Sequence, residues 1–212
     1  MAALDLQEQE QIEELKGWWK ENGNQVLGAL FMVAIVVGGW RGWQYYQHEQ
    51  ASKSAMFYAE FVKQLESNDA GRVNDAAAAM LEKFPSTAYA PRAALTAALV
   101  NEQSKDVARA TTQLQWVIDN AEEAELRDVA RLRLGALLLD EGKYSEIMSL
   151  LSIEHSSAFD ALYADLRGDV YNAQGKAEEA RSAYKLAYEK IDANSMYRNL
   201  IQMKLDALIV NK

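Results

Sequence analysis

Cysteine is absent from the 212 residues, which excludes a disulfide framework, a thiol nucleophile and a thiolate metal site. Histidine occurs twice, at His48 beside a long apolar run and at His155 in a segment that reads as loop. Two such residues cannot build a histidine metal cluster. Proline is confined to Pro85 and Pro91, and from Gln50 onward no stretch alternates apolar with polar residues, so strands and hairpins are not expected there. Basic residues are outnumbered, 22 Lys and Arg against 31 Asp and Glu, and a net charge of -9 argues against binding nucleic-acid phosphates. Also missing are a G-x-S-x-G elbow, a P-loop and a G-x-G-x-x-G turn. The acidic pairs Glu122/Glu123 and Glu178/Glu179 are sequence neighbours, which point to different helix sectors, and they read as solvated faces. The chain is therefore not expected to be an enzyme, and no catalytic residue, metal or cofactor is assigned.

What the chain does have is one long apolar run. Asn22 to Trp40 carries no charge over nineteen residues. As a helix it would span roughly 28 Å, close to the hydrocarbon thickness of a bilayer. Trp18 and Trp19 precede it, and Trp40, Trp43, Tyr45 and Tyr46 follow it. Amphipathic rings favour the headgroup level, so aromatics at both ends mark membrane interfaces, for which a buried core helix has little use. A cleaved signal peptide would begin with a basic region and end at small residues. Here the lead-in carries six acidic residues against Lys16 and Lys20, and the run ends in aromatics and Arg41. It reads as a retained anchor.

Before the run, Ile12, Leu15 and Trp19 form a weak stripe on the acidic segment from Leu4 to Trp19. That segment reads as a short interfacial helix, a docking peptide or, most simply, a frayed polar lead-in. Within the expected span, 22–43, Ala34, Gly38 and Gly42 recur every four residues on one face. Small residues so spaced let a second helix approach closely in lipid, although glycine is common in such helices anyway.

After the run the pattern is helical throughout. Val107, Ala110, Leu114, Val117 and Ile118 share one face, as do Tyr144, Ile147, Met148 and Leu151, and then Ala177, Ala180, Tyr184, Ala187 and Tyr188. These helices come in pairs with a period. Gly135 and Gly168 are 33 residues apart, and so are Gly142 and Gly175. Gly168, Tyr171, Gly175, Ala180, Tyr184 and Ala187 follow the tetratricopeptide order, whose nominal repeat is about 34 residues. Another 37 residues back, Ala98, Ala110 and Leu114 align loosely, and Ser52 to Phe84 reads as a further degenerate pair ended by Pro85. From Asn194 a last helix, with Leu200, Met203, Ala207 and Leu208 inward, is expected to cap the stack.

The expected fold is all-α: a single N-terminal transmembrane helix, then a tetratricopeptide-repeat-like α-solenoid with a C-terminal capping helix. The expected divisions are a tail (1–21), the span (22–43) and the repeat domain (44–212). Stacked helix pairs build a concave surface that binds peptides or proteins. In the usual register its lining includes Arg92, Leu99, Leu139, Asp165, Asp169 and Asn172. Leu95 and Leu132 fall in the same register but are expected to fill inter-repeat core.

Four stretches resemble the YfgM family, the ancillary subunit of the bacterial SecYEG translocon. They are Glu21-Asn22-Gly23, Gly39-Trp40-Arg41, Ala164-Asp165-Leu166-Arg167-Gly168 with Ala180-Arg181-Ser182-Ala183, and Gln202-Met203-Lys204. The resemblance implies a bacterial inner-membrane protein with a cytoplasmic N-terminal tail and a periplasmic repeat domain. It implies partnership with SecYEG and with a PpiD-type periplasmic chaperone in handling newly exported client proteins. A contact between the tail and the cytoplasmic Rcs stress regulator is also implied. The alternative is a structural envelope tether, or a stress regulator without a chaperone role.

Overall fold

One hydrogen-bond pattern recurs at three turns of the chain. In the computed structural model, which describes residues 2–67 and 69–210, the carbonyl of Asn101 accepts from the Asp106 N–H at 2.8 Å. That of Leu138 accepts from Lys143 and that of Tyr171 from Lys176, each at 2.9 Å. Each turn passes through one left-handed residue: Lys105 (φ 62°), Gly142 (φ 70°) and Gly175 (φ 75°). The spacing of these turns, 37 and then 33 residues, is the period expected from the glycines and alanines. Glycine adopts this backbone freely, whereas lysine does so at a cost, which is why the first repeat was faint in sequence.

The turns join helix pairs: α3 (Tyr89–Gln103) with α4 (Val107–Asn120), α5 (Ala124–Asp140) with α6 (Tyr144–Leu151), and α7 (Asp160–Ala173) with α8 (Ala177–Lys190). Ahead of them α1 (Ala2–Leu65) sends its last turns against α2 (Ala70–Lys83), and after them comes α9 (Tyr197–Val210). Among the described residues there is no strand. Asp69 caps α2, its Oδ1 accepting from the N–H groups of Gly71 and Arg72. Asp106 caps α4 through the Arg109 N–H.

Packing follows the repeat logic. A Cβ added at Gly168 would sit 2.5 Å from the Tyr184 ring, and one added at Gly135 would sit 2.6 Å from Leu166. Leu114, Ile147, Leu151 and Val170 lie in the central core, with Phe61, Val73 and Met80 in the first pair's core. Side chains of this size contribute about 1.5–3 kcal/mol each when fully buried, against a net of about 1 kcal/mol for an ordinary hydrogen bond. The apolar core therefore carries the stability, and polar contacts set register. One such contact joins the amides of Asn74, Asn101 and Gln113 at 2.7–2.9 Å, tying α2, α3 and α4 together.

The chain forms two compact units, residues 1–52 and 53–212, and α1 runs through the boundary. In the first unit every residue from Leu27 to Trp43 is exposed, Phe31 and Met32 by 70% and 71%. A core helix of a soluble protein would be covered, so this apolar surface fits a membrane anchor. The polar lead-in is helical from Ala2 rather than frayed. Its Ala, Leu, Glu and Gln content is that of strong helix formers, and the span extends the same hydrogen-bond ladder.

The last helix differs from expectation in rotation. Ile201 and Leu208 face inward with Leu205 beside them, while Leu200, Met203 and Ala207 are exposed. The expected face of Leu200, Met203, Ala207 and Leu208 holds at Leu208 and is otherwise about a quarter turn away from the observed one.

Candidate functional site

Helix α7 is buried on several sides at once, and its polar side chains reach four neighbouring helices, α5, α6, α8 and α9. Towards α5, the Tyr163 hydroxyl donates to Asp128 Oδ1 at 2.9 Å. Asp128, wholly buried, also accepts from Arg131 Nη1 at 2.9 Å and, through its second oxygen, from the Ser156 N–H at 3.0 Å. The His155 ring stacks on Tyr163 with centroids 3.8 Å apart. Burial pushes the Tyr163 hydroxyl up to about 12, so it stays a proton donor. Together these contacts pin the loop after α6.

Towards α9, Asp165 and Asp169 lie one turn apart on α7 and share a single cation. Lys204 Nζ is 2.8 Å from an oxygen of each. Asp165 also accepts from the Tyr197 hydroxyl at 3.1 Å, and Asp169 from the Tyr184 hydroxyl at 2.7 Å. Asp165 is 3% exposed, and its Oδ1 is buried without a hydrogen-bond partner. Burial raises its carboxyl above the ordinary range, and the Asp169 charge adds to this, while Lys204 and Tyr197 pull the other way. Burial, and then the two carboxylates, likewise hold the Tyr184 and Tyr197 hydroxyls above their usual range.

The family-like stretch Ala164 to Gly168 thus has a separate task at each position. Ala164 joins the core beneath α9, and Asp165 clamps Lys204. Leu166 fills the space above Gly135, Arg167 Nη2 donates to the Leu151 carbonyl at 3.2 Å, and Gly168 admits Tyr184. Lys204 closes the other stretch, Gln202 to Lys204, and Arg181 of the third donates to the Leu208 carbonyl at 3.2 Å. Both segments of the family-like stretch, Ala164 to Gly168 and Ala180 to Ala183, and the Gln202 to Lys204 stretch meet where α9 docks.

The six expected groove residues separate accordingly. Asp165 and Asp169 come together, but at Lys204 of the chain's own last helix, so Asp165 does not present an open carboxylate while α9 is in place. Arg92 makes two 2.8 Å contacts with Glu123, which hold its guanidinium above and the Glu123 carboxyl below their ordinary values. Leu99 and Asn172 are exposed, and Leu139 is half-buried. Leu95 is buried and Leu132 packs at the edge of the same core, as expected of inter-repeat filling. The roles of Tyr184, Tyr197 and Lys204 as α9's fastening were not anticipated. Lys204 lies 39 residues after Asp165, which does not match the 33-residue period, so the repeat pattern did not signal the pairing. Around Ala34, Gly38 and Gly42 the surface is open, and a Cβ at either glycine would meet nothing within 4 Å. No group of three or more His, Cys, Asp or Glu able to hold a metal occurs among the described residues.

Comparison with known proteins extends over nearly the whole chain. The family profile described as tetratricopeptide repeat-like domain matches residues 16–210. A protein of Neisseria gonorrhoeae (strain ATCC 700825 / FA 1090) named "Ancillary SecYEG translocon subunit" is 30% identical over 210 residues, covering 97% of this chain and 99% of the relative. Proteins of the same name from Haemophilus influenzae (strain ATCC 51907 / DSM 11121 / KW20 / Rd) and Escherichia coli (strain K12) are each 27% identical. They cover 97% and 96% of this chain and 100% and 97% of their own lengths. No solved structure matches the chain.

Proposed function

This chain belongs to the ancillary SecYEG translocon subunit family, with its tetratricopeptide repeat-like domain, and on that premise we propose that it is a membrane-anchored interaction protein of the Sec translocon. The observation that carries the reading is similarity over the full length to proteins of that name, anchor and repeats alike. The exposed apolar helix supports attachment to the membrane. A repeat-like domain and a subunit named as ancillary suggest work by contact rather than catalysis.

The finer reading is that the repeat domain lies in the periplasm of a bacterial inner-membrane protein and links the translocon to a PpiD-type chaperone handling exported clients. Leu99, Leu139 and Asn172 remain as the groove surface in this reading, with Arg92 holding successive repeats together through Glu123. Ala34, Gly38 and Gly42 are the proposed contact face of the span. The acidic tail is the proposed contact for a cytoplasmic Rcs regulator.

Purification of the tagged full-length chain from membranes in mild detergent tests the reading. SecY, SecE and SecG are expected in the eluate, together with a periplasmic chaperone. Recovery of wall or outer-membrane proteins without translocon subunits would make the chain a structural tether instead.

A further inference from the structure

The first helices of the pairs recur at a steady interval. α3, α5, α7 and α9 begin at residues 89, 124, 160 and 197, so α9 stands where a fourth pair would start. α4, α6 and α8 each pack on the first helix of their own pair. Among the described residues no helix does this for α9. Ile201 and Leu208 of α9 are packed into the core of the preceding pair. The face turned away from that pair carries Met196, just ahead of the helix, then Leu200, Met203 and Ala207. Steps of four, three and four residues keep these side chains on one stripe. Met196 is 90% exposed, Met203 67% and Leu200 41%, and Ala207 is exposed as well. Terminal repeats ordinarily end on a polar face, so an apolar one implies a covering partner.

Two properties of the stripe identify that partner. The first is charge. The described cations of α9 are engaged, Arg198 over the Tyr188 ring at 3.8 Å and Lys204 between Asp165 and Asp169. Asp206 flanks the stripe instead, so the stripe lacks the basic rim that holds an amphipathic helix to anionic lipid. The second is order. Read backwards, the stripe is its own complement. With two copies antiparallel, the long Met196 of each lies over the short Ala207 of the other, and Leu200 lies over Met203. Methionine adapts its shape to such a neighbour. Asp206 then falls opposite Tyr197, and like charges are not opposed. Antiparallel is also how helices joined by a tight turn lie within each pair.

We propose that α9 pairs with α9 of a second copy of this chain, antiparallel about a two-fold axis between Leu200 and Met203. Each copy then stands where the second helix of the other's fourth pair would lie. One helix face covers less than the roughly 800 Å² per partner of a standard stable interface, so free molecules pair weakly. Anchors held in one membrane raise the effective concentration of the copies, and pairing belongs to the membrane-bound chain. The translocon reading does not depend on it.

The chain has no cysteine, so introduced ones report the pairing directly. Full-length Met196→Cys and Ala207→Cys chains with different tags are co-expressed, and isolated membranes are oxidised with copper phenanthroline. A disulfide needs Cβ atoms about 4 Å apart. In the antiparallel pair position 196 of one copy meets 207 of the other, whereas the two 196 positions are about 16 Å apart along the axis. The mixed disulfide is expected at least about five-fold above the dimer from either variant alone. Adding Met203→Glu to both chains sets an acid against Leu200 and is expected to return the yield to that background. All three positions are exposed, and unchanged helical circular dichroism of the purified variants confirms the fold. The proposal is overturned if Met196→Cys alone cross-links as well as the mixture, which would mean a parallel pair or random collision. It is overturned equally if every sample gives the same low yield, which would leave the face to another partner or to none. Retention of the mixed disulfide in the Met203→Glu background would also end it.

Discussion

At Lys204 one ammonium group serves two carboxylates, and the sign of its loss can be worked out. In Lys204→Met, Asp165 stays buried beside Asp169 with no cation. Removing one partner of a buried ion pair costs about 3 kcal/mol. Both influences that raise the Asp165 carboxyl, burial and Asp169, then act with less opposition. The folded chain holds that proton more tightly than the unfolded chain, whose carboxyl titrates near its ordinary value of 3.8. Protonation therefore favours the folded state, and the deficit is full at neutral pH and shrinks as pH falls towards that value. Denaturant unfolding of the variant and the parent at pH 7 and near the unfolded carboxyl's ordinary value reads both parts. An equal deficit at the two pH values would show that Lys204 acts through packing alone. A second residue-scale outcome concerns Lys105, which holds a left-handed backbone that glycine adopts without strain. Lys105→Gly is expected to raise stability by roughly 0.5–1 kcal/mol, less than the full αL penalty because glycine also loosens the unfolded chain. A lowered melting temperature would mean that the lysine side chain makes a compensating contact.

Among the elements, α9 and the span of α1 illustrate two kinds of helix face. The inner face of α9 is a mixed one: Ile201, Leu205 and Leu208 pack while Lys204 and Tyr197 bind charge, which is why an apolar stripe alone misjudged its rotation. Among the described residues the span has no polar contact of that kind, and the proposed contact face at Ala34, Gly38 and Gly42 depends on close backbone approach. Lipid supplies little hydrophobic drive between helices, so packing geometry must hold any such contact. Gly38→Leu keeps the span apolar and is expected to leave insertion unchanged while lowering recovery of the membrane partner several-fold. Val36→Leu, on another face, is the control and is expected to change nothing. Full recovery from both variants would leave the contact to the repeat domain.

At the scale of the whole molecule the prediction concerns direction across the membrane. Lys16 and Lys20 before the uncharged run Asn22–Trp40 balance Arg41 and Lys53 after it, so the excess of positive charge that orients most spans is missing. The family reading places the repeat domain outside the cytoplasm. Alkaline phosphatase fused to the C-terminus is then expected to be active, and a cytoplasm-dependent fluorescent reporter at the same place dark. The opposite pair of results would put the repeats in the cytoplasm and end the chaperone reading.

The helical class, the membrane-length span, the repeat period and the family were all legible along the chain. Each is a local or periodic property: hydropathy over twenty residues, glycine at a turn, alanine where helices approach. Gly142 and Gly175 announced their turns because backbone strain is decided within a few residues. The turn at Lys105 was quieter, since context there overrides the preference. What the tertiary structure decided was everything that depends on a partner from another helix. Asp165 read as groove lining until Lys204 and Tyr197 were seen to cover it. Leu200 and Met203 turn outward because the face that brings Lys204 to Asp165 and Asp169 is also the one that buries Ile201 and Leu208.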